Sequence, residues 1–192
     1  MQDKLIQIRT LRALCVQDKI PLMREQTIDY IIEQMNLHGH QFCLEIGTAY
    51  GYSALNIKTF VPTLKTLITL EKDLKRIQIA ENFLANEPNF TLVHTDCFHY
   101  QPDQLFDVII LDGPKGKQIE LFNKYIHFLK PQGQMFIDNL FLNTLRQRKE
   151  LSKNQVKLLA KVDAFVDYLK NIADYQFTIL NIDDGLGIIT KK

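Results

Sequence analysis

The stretch Leu44-Glu45-Ile46-Gly47-Thr48-Ala49-Tyr50-Gly51-Tyr52-Ser53-Ala54 sets two glycines between an apolar run and a helix-like segment. Gly47 permits close backbone approach to a ligand, and a helix opening near Gly51 offers free N–H groups. In an open parallel sheet, this turn is where a nucleotide-like ligand lies across the carboxyl ends of the strands. The spacing is GxxxG, not the GxGxxG of dinucleotide binders. A strand-to-helix turn that merely needs glycine explains it equally well. Glu71 ends the next apolar run about twenty residues on, where a carboxylate can accept both hydroxyls of a ribose; taken alone it is a solvated strand-end charge. Asp96-Cys97 ends a third run, within reach of an adenine edge or simply forming a turn. Asp112 ends a fourth run and Asp138-Asn139 a fifth, which neighbouring parallel strands would bring to the same edge. Two carboxylates and an amide oxygen suit Mg²⁺ and suit zinc poorly, although Asp112 as a helix cap and Asp138-Asn139 as a turn remain open.

These residues need a frame. Short apolar runs recur at Phe42-Cys43-Leu44, Leu67-Ile68-Thr69-Leu70, Phe90-Thr91-Leu92-Val93, Val108-Ile109-Ile110-Leu111 and Met135-Phe136-Ile137, the pattern of strands covered on both faces. Helical periodicity between them, as in Leu74 to Leu84 and Ile119 to Leu129, makes the class α/β. Asp183-Asp184-Gly185 separates Tyr175 to Ile182 from Leu186 to Thr190 and predicts a terminal antiparallel hairpin. Two amphipathic helices, Leu5 to Val16 and Arg24 to Leu37, precede the first strand with Ile20-Pro21 between them; a long helix spans Leu151 to Ile172. The 192 residues read as one domain, 1–192, with 1–38 an N-terminal helical cap.

Composition excludes several classes. With 46% hydrophobic and 23% charged residues, 8 Gly and 6 Pro, the chain is neither collagenous nor disordered. Cys15, Cys43 and Cys97 lack CxxC spacing, so neither disulfides nor zinc is expected. His38, His40, His94, His99 and His127 form no HExxH pair. No apolar stretch approaches the ~20 residues of a membrane helix, no membrane partner is expected, and the chain reads as cytosolic and cytoplasmic. The net charge of +1 leaves any nucleic-acid argument to local patches. One such patch is Arg146, Arg148, Lys149, Lys153, Lys157 and Lys161 against Glu150 alone, which either meets phosphates or forms a solvated basic face.

Glu45 to Ser53 resembles the first motif of class I S-adenosylmethionine-dependent methyltransferases. From about Ile20 onward, the order of motifs resembles the metal-dependent O-methyltransferases that include catechol and caffeoyl-CoA O-methyltransferases. The resemblance implies an α/β, Rossmann-like, seven-stranded, mostly parallel sheet of order 3-2-1-4-5-7-6 with helices on both faces. It implies that Glu45 holds the methionine amino group, Ser53 its carboxylate, Glu71 the ribose and Asp96-Cys97 the adenine. Met23, Gly47, Gly51, Tyr52 and Asp112 complete the implied S-adenosyl-L-methionine site. Mg²⁺ would rest on Asp112, Asp138 and Asn139, lowering the pKa of the attacking hydroxyl and fixing its position. Lys115 resembles the catalytic lysine, and with Asp112 makes the implied catalytic pair. The loop reads Asp112-Gly113-Pro114-Lys115-Gly116-Lys117, so Pro114 stiffens it and a following aromatic is missing, a place Phe141 is a candidate to fill. Within the family, Ile20-Pro21-Leu22-Met23 and Asp183-Asp184-Gly185-Leu186-Gly187 are similar to bacterial tRNA 5-hydroxyuridine methyltransferases. That implies tRNA anticodon as partner, methylation of wobble 5-hydroxyuridine to 5-methoxyuridine, and a homodimer. A small catechol or phenylpropanoid acceptor is the alternative. A nicotinamide-dependent oxidoreductase and a non-catalytic RNA-binding module are the readings from other classes.

Overall fold

The computed structural model describes residues 2–191. Its elements run α1 Gln2–Gln17, α2 Glu25–Leu37, β1 Phe42–Ile46, α3 Tyr52–Phe60, β2 Thr66–Glu71, α4 Leu74–Leu84, β3 Phe90–His94, β4 Phe106–Leu111, α5 Gln118–Tyr125, β5 Leu129–Ile137, α6 Asn143–Arg146, α7 Lys153–Lys170, β6 Tyr175–Leu180 and β7 Leu186–Lys191. The seven strands form one sheet in the order β3-β2-β1-β4-β5-β7-β6, as the family resemblance implies. The first five strands pair in parallel; β7 is antiparallel to both β5 and β6.

Because side chains alternate along a strand, one sequence supplies two cores. Cys43, Leu67, Val108, Ile110, Phe136 and Ile188 face α1, α2 and α3. Leu44, Ile68, Ile109, Met135 and Ile189 face α5 and α7. Helix ends are fixed locally where the sequence offers a cap. Asp73 Oδ1 accepts from the N–H groups of Lys75 and Arg76 at 2.9 and 3.2 Å, and Ser152 with Gln155 closes a capping box on α7.

Three expectations change. The strand expected at Met135–Ile137 begins at Leu129, with a register shift against β4 between Phe106 and Val108. Pro131 and Gln132, whose φ is +61°, sit in that irregularity, and their polarity hid it from an apolar-run reading. The helix expected over Ile119 to Leu129 ends at Tyr125 and tightens into a 3₁₀ turn at Ile126–Phe128, so that Leu129 can pair with Phe106. Burial on both faces fails for β3, which lies at a sheet edge and leaves Thr91 and His94 exposed. Among the described residues, no helix is long and apolar enough to cross a membrane.

Candidate active site

The carboxyl ends of β1, β2, β3 and β4 open into a cleft of about 850 Å³. That volume falls within the range of small-molecule and cofactor pockets. Its floor is the glycine turn. Gly47 has φ +106°, and a Cβ there would lie 2.6 Å from the Asp112 carbonyl oxygen, so only glycine lets the turn pass under β4. The Gly47 and Thr48 N–H groups donate to the Leu70 carbonyl at 3.1 and 3.0 Å, which fixes the turn against β2.

Glu45 lies behind this turn, fully buried on the sheet face covered by α3 and the N-terminal helices. Ser53 Oγ donates to Glu45 Oε1, whereas Glu45 Oε2 and Thr48 Oγ1 are buried without a hydrogen-bond partner. Burial pushes the Glu45 carboxyl up to about 8, against which the Ser53 hydrogen bond works only in part. An orphaned carboxylate oxygen in such a place fits a cation with N–H donors, such as the ammonium of an amino acid. Met23, Tyr52, Ser53, Gly47 and Asp112 line a small recess adjoining the cleft. Gly51 stands apart from both cavities. A Cβ there would meet Leu84 Cδ1 at 2.4 Å, so this glycine seats α4 rather than a ligand.

Glu71 is held by the backbone around it. Its Oε1 accepts from Lys72 and Asp73 N–H and its Oε2 from Ala49 N–H, each at 2.9 Å, with Arg76 at 3.9 Å. A carboxylate has about four acceptor sites, so three such bonds orient it and still leave capacity toward the cleft it lines. Asp96 Oδ1 accepts from Phe98 N–H at 3.0 Å, which holds its carboxyl below the usual range. Burial pushes the Cys97 thiol up to about 11, so it is no nucleophile. Both residues line the cleft.

At the other end stand Asp112, Lys115 and Asn139. Lys115 Nζ donates to Asp112 Oδ1 at 2.6 Å and to the Asp138 carbonyl oxygen at 3.1 Å. Asp138 is buried; its carboxylate accepts from the Asn139 backbone N–H at 2.8 Å and from the Asn139 side-chain amide. Burial and the facing Asp112 carboxylate raise the Asp138 carboxyl well above its ordinary range, and Lys115 opposes them. Two carboxylates short of countercharge beside an amide oxygen fit a hard divalent cation. Among the described residues no three His, Cys, Asp or Glu side chains gather into a metal cluster, so such an ion would depend on the Asn139 amide as well.

Residues not expected at the site complete this end. Arg24 donates to Asp184 Oδ2 at 2.9 Å and to Thr144 Oγ1 at 2.8 Å, and Leu142 and Arg148 stand on the same wall. Asp184 was visible as a turn signal and in the hairpin resemblance, Arg148 as part of a basic run and Arg24 as the start of a helix, none of them as a site residue. Phe141 turns away from the cleft and packs its ring on Gly185, where a Cβ would approach within 2.6 Å, so it does not supply the missing aromatic.

Residues 3–192 match the sequence profile of a family described as O-methyltransferase. The chain belongs to this family. The O-methyltransferase resembles the crystal structure of a candidate caffeoyl-CoA O-methyltransferase from Staphylococcus aureus with a TM-score of 0.89 and 27% identity, covering 96% of this chain and 92% of that one. Its fold is shared by an O-methyltransferase of Bacillus cereus in complex with SAH (TM-score 0.80, 15% identity, 97% and 90% covered). An SAH-bound methyltransferase of Podospora anserina gives a TM-score of 0.82 at 19% identity, with 98% and 87% covered. A cobalt-precorrin-6B C(15)-methyltransferase (decarboxylating) assigned in Thermoplasma volcanium is 28% identical over 136 residues, 69% of this chain and 68% of that protein. The enzyme is therefore an S-adenosylmethionine-dependent O-methyltransferase, and the oxidoreductase and non-catalytic readings fall away.

Proposed function

We propose that this O-methyltransferase methylates the 5-hydroxyl of wobble 5-hydroxyuridine in a tRNA anticodon, with Mg²⁺ held by Asp112, Asp138 and Asn139. The observation that carries the acceptor is the wall around Lys115 and Asn139. It is built from Arg24, Leu142, Thr144, Arg148 and Asp184, and among the described residues the one aromatic ring lining the cleft is Phe98, next to Asp96-Cys97 and away from this wall. Guanidinium planes are surfaces on which an unstacked RNA base can lie.

In this reading Glu45 Oε2 takes the methionine ammonium and Ser53 its carboxylate, while Glu71 takes the ribose hydroxyls and Asp96-Cys97 the adenine. Met23 and Tyr52 close the recess over the methionine portion, and Gly47 gives the donor access to the backbone. The bound cation would act as a Lewis acid on the acceptor oxygen and favour its ionised form. Only the neutral amine of Lys115 can take the hydroxyl proton on Nζ, and the ammonium so formed donates to Asp112 Oδ1 and to the Asp138 carbonyl. Asp112 then orients the lysine. A donor held by Glu45, Ser53 and Glu71 would supply the methyl on a sulfonium, and displacement by the acceptor oxygen would break the sulfur–methyl bond and leave S-adenosylhomocysteine.

The test is transfer of labelled methyl from S-adenosylmethionine to tRNA carrying wobble 5-hydroxyuridine, with a catechol in parallel. Label on the tRNA should vanish with chelator and with Asp138→Ala. Lys115→Ala should lower transfer by about 10²–10⁴-fold, the usual range for a general base, while donor binding persists. Label on the catechol alone would move the acceptor to the second reading, a small catechol or phenylpropanoid, which the description of the S. aureus relative favours.

A further inference from the structure

Helix α7 carries Lys153, Lys157 and Lys161 at intervals of four, all exposed. Residues four apart share a helix face, and at 1.5 Å rise successive lysines stand about 6 Å apart along the axis. Val156, 53% exposed, and the exposed Ala160 lie between them on that face. Among the described residues, none of the three lysines, nor Arg148 or Lys149, comes within 4 Å of a carboxylate. Two acids on the helix are taken: Asp163 pairs with Arg146, and Asp167 with Lys170 at 3.5 Å. The row is also joined to the active site. A Cβ on Gly116, next to Lys115, would lie 3.8 Å from Lys161 Nζ, and Arg148, just before α7, lines the cleft.

We propose that this face of α7 is a track for one RNA strand, in which Lys153, Lys157 and Lys161 hold successive phosphates of the strand that leads the acceptor base into the cleft. The inference rests on the reading of the acceptor as RNA. Three uncompensated point charges in a row match a polymer bearing one charge per nucleotide. Small apolar side chains between them let the strand lie close. A phosphorylated thioester such as coenzyme A offers the same phosphate chemistry in a compact cluster, and the row is extended.

The experiment is binding of a short fluorescein-labelled oligouridylate to the full chain, followed by anisotropy across a salt series. Each phosphate contact on a single strand contributes about 0.7 to the slope of log K against log salt. K153Q/K157Q/K161Q should lower that slope by about 2 and weaken binding at low salt by at least about tenfold. K153R/K157R/K161R and Lys170→Gln should bind like the parent, and coenzyme A should fail to displace the oligonucleotide. An unchanged slope in the glutamine variant, no binding by the parent, or displacement by coenzyme A would each overturn the track. Equal thermal midpoints with S-adenosylmethionine will show that all variants are folded. Methylation of catechol alone, combined with a lysine-dependent oligouridylate slope, would sink the tRNA reading and overturn the delivery of an acceptor base, leaving only an RNA-binding face on α7.

Discussion

Glu45 places a carboxyl where water does not reach and supplies it with one hydroxyl partner, so its free energy depends on whether a cation is present. In the unliganded enzyme its carboxyl titrates at about 8, against an ordinary value of 4.5. The folded state thus binds the proton more tightly than the unfolded one. Its contribution to stability is complete below the ordinary value and is lost as pH rises through about 8. Glu45→Gln should therefore unfold at a less pH-dependent temperature than the parent between pH 5 and 8.5 in the absence of ligand. An ammonium seated on Oε2 reverses the balance, and donor binding near neutral pH should release a proton. Calorimetry in buffers of different ionisation enthalpy reads that proton directly, and no buffer dependence would remove Glu45 from the ammonium site. The residue types were legible because the chemistry needs carboxylates and a lysine at strand ends. Choosing Lys115 over Lys117 was not settled by spacing alone. Lys117 is exposed, pairs with Glu120 at 3.5 Å and lies over the Phe98 ring, whereas Lys115 reaches both aspartates.

The elements around the site are held at one point by the β6–β7 turn. Helix α2 opens at Arg24 without a capping side chain of its own, and Asp183 Oδ2 supplies the cap by accepting from Thr27 N–H at 2.9 Å and Thr27 Oγ1 at 3.0 Å. Asp184 holds Arg24, and its carbonyl accepts from Phe141 N–H at 2.7 Å. One turn therefore fastens the N-terminal helices and the segment after Asn139 to the same edge. Asp183 has φ +47°, which asparagine tolerates and alanine does not. Asp183→Ala should cost about 1–3 kcal/mol, from a lost cap and left-handed strain, and Asp183→Asn only a few tenths. Urea unfolding measures both, and equal midpoints for Asp183→Ala and the parent would show that the cap contributes nothing. The turn itself was legible from Asp183-Asp184-Gly185. Its partners were not, because a cap supplied from across the chain leaves no local mark at Arg24. The four-residue α6, which starts beside Leu142 at φ +49°, is likewise too short to show a period.

At the scale of the molecule, the sheet class was legible because β1, β2 and β4 are buried on both faces and read as unbroken apolar runs. Strand order needed the family resemblance, since no local pattern states which strands are neighbours. What the order achieves is convergence: the cleft is walled by Pro21 and Leu22 before α2, by Glu71 at the end of β2, by Asp112 after β4 and by Asp184 before β7. A donor bound there touches segments far apart in sequence, so it must favour the folded chain as a whole. At a hundredfold excess over its dissociation constant, one ligand stabilises by about 2.7 kcal/mol. For a chain of this length that corresponds to roughly 5–11 °C in melting temperature. S-adenosylhomocysteine should give this shift, and should also slow tryptic cleavage after Arg24, whose side chain lies on the same wall. Glu71→Ala should lower the shift by weakening donor affinity. A saturating ligand that leaves the midpoint and the cleavage rate unchanged would mean that the cleft is not where the donor binds.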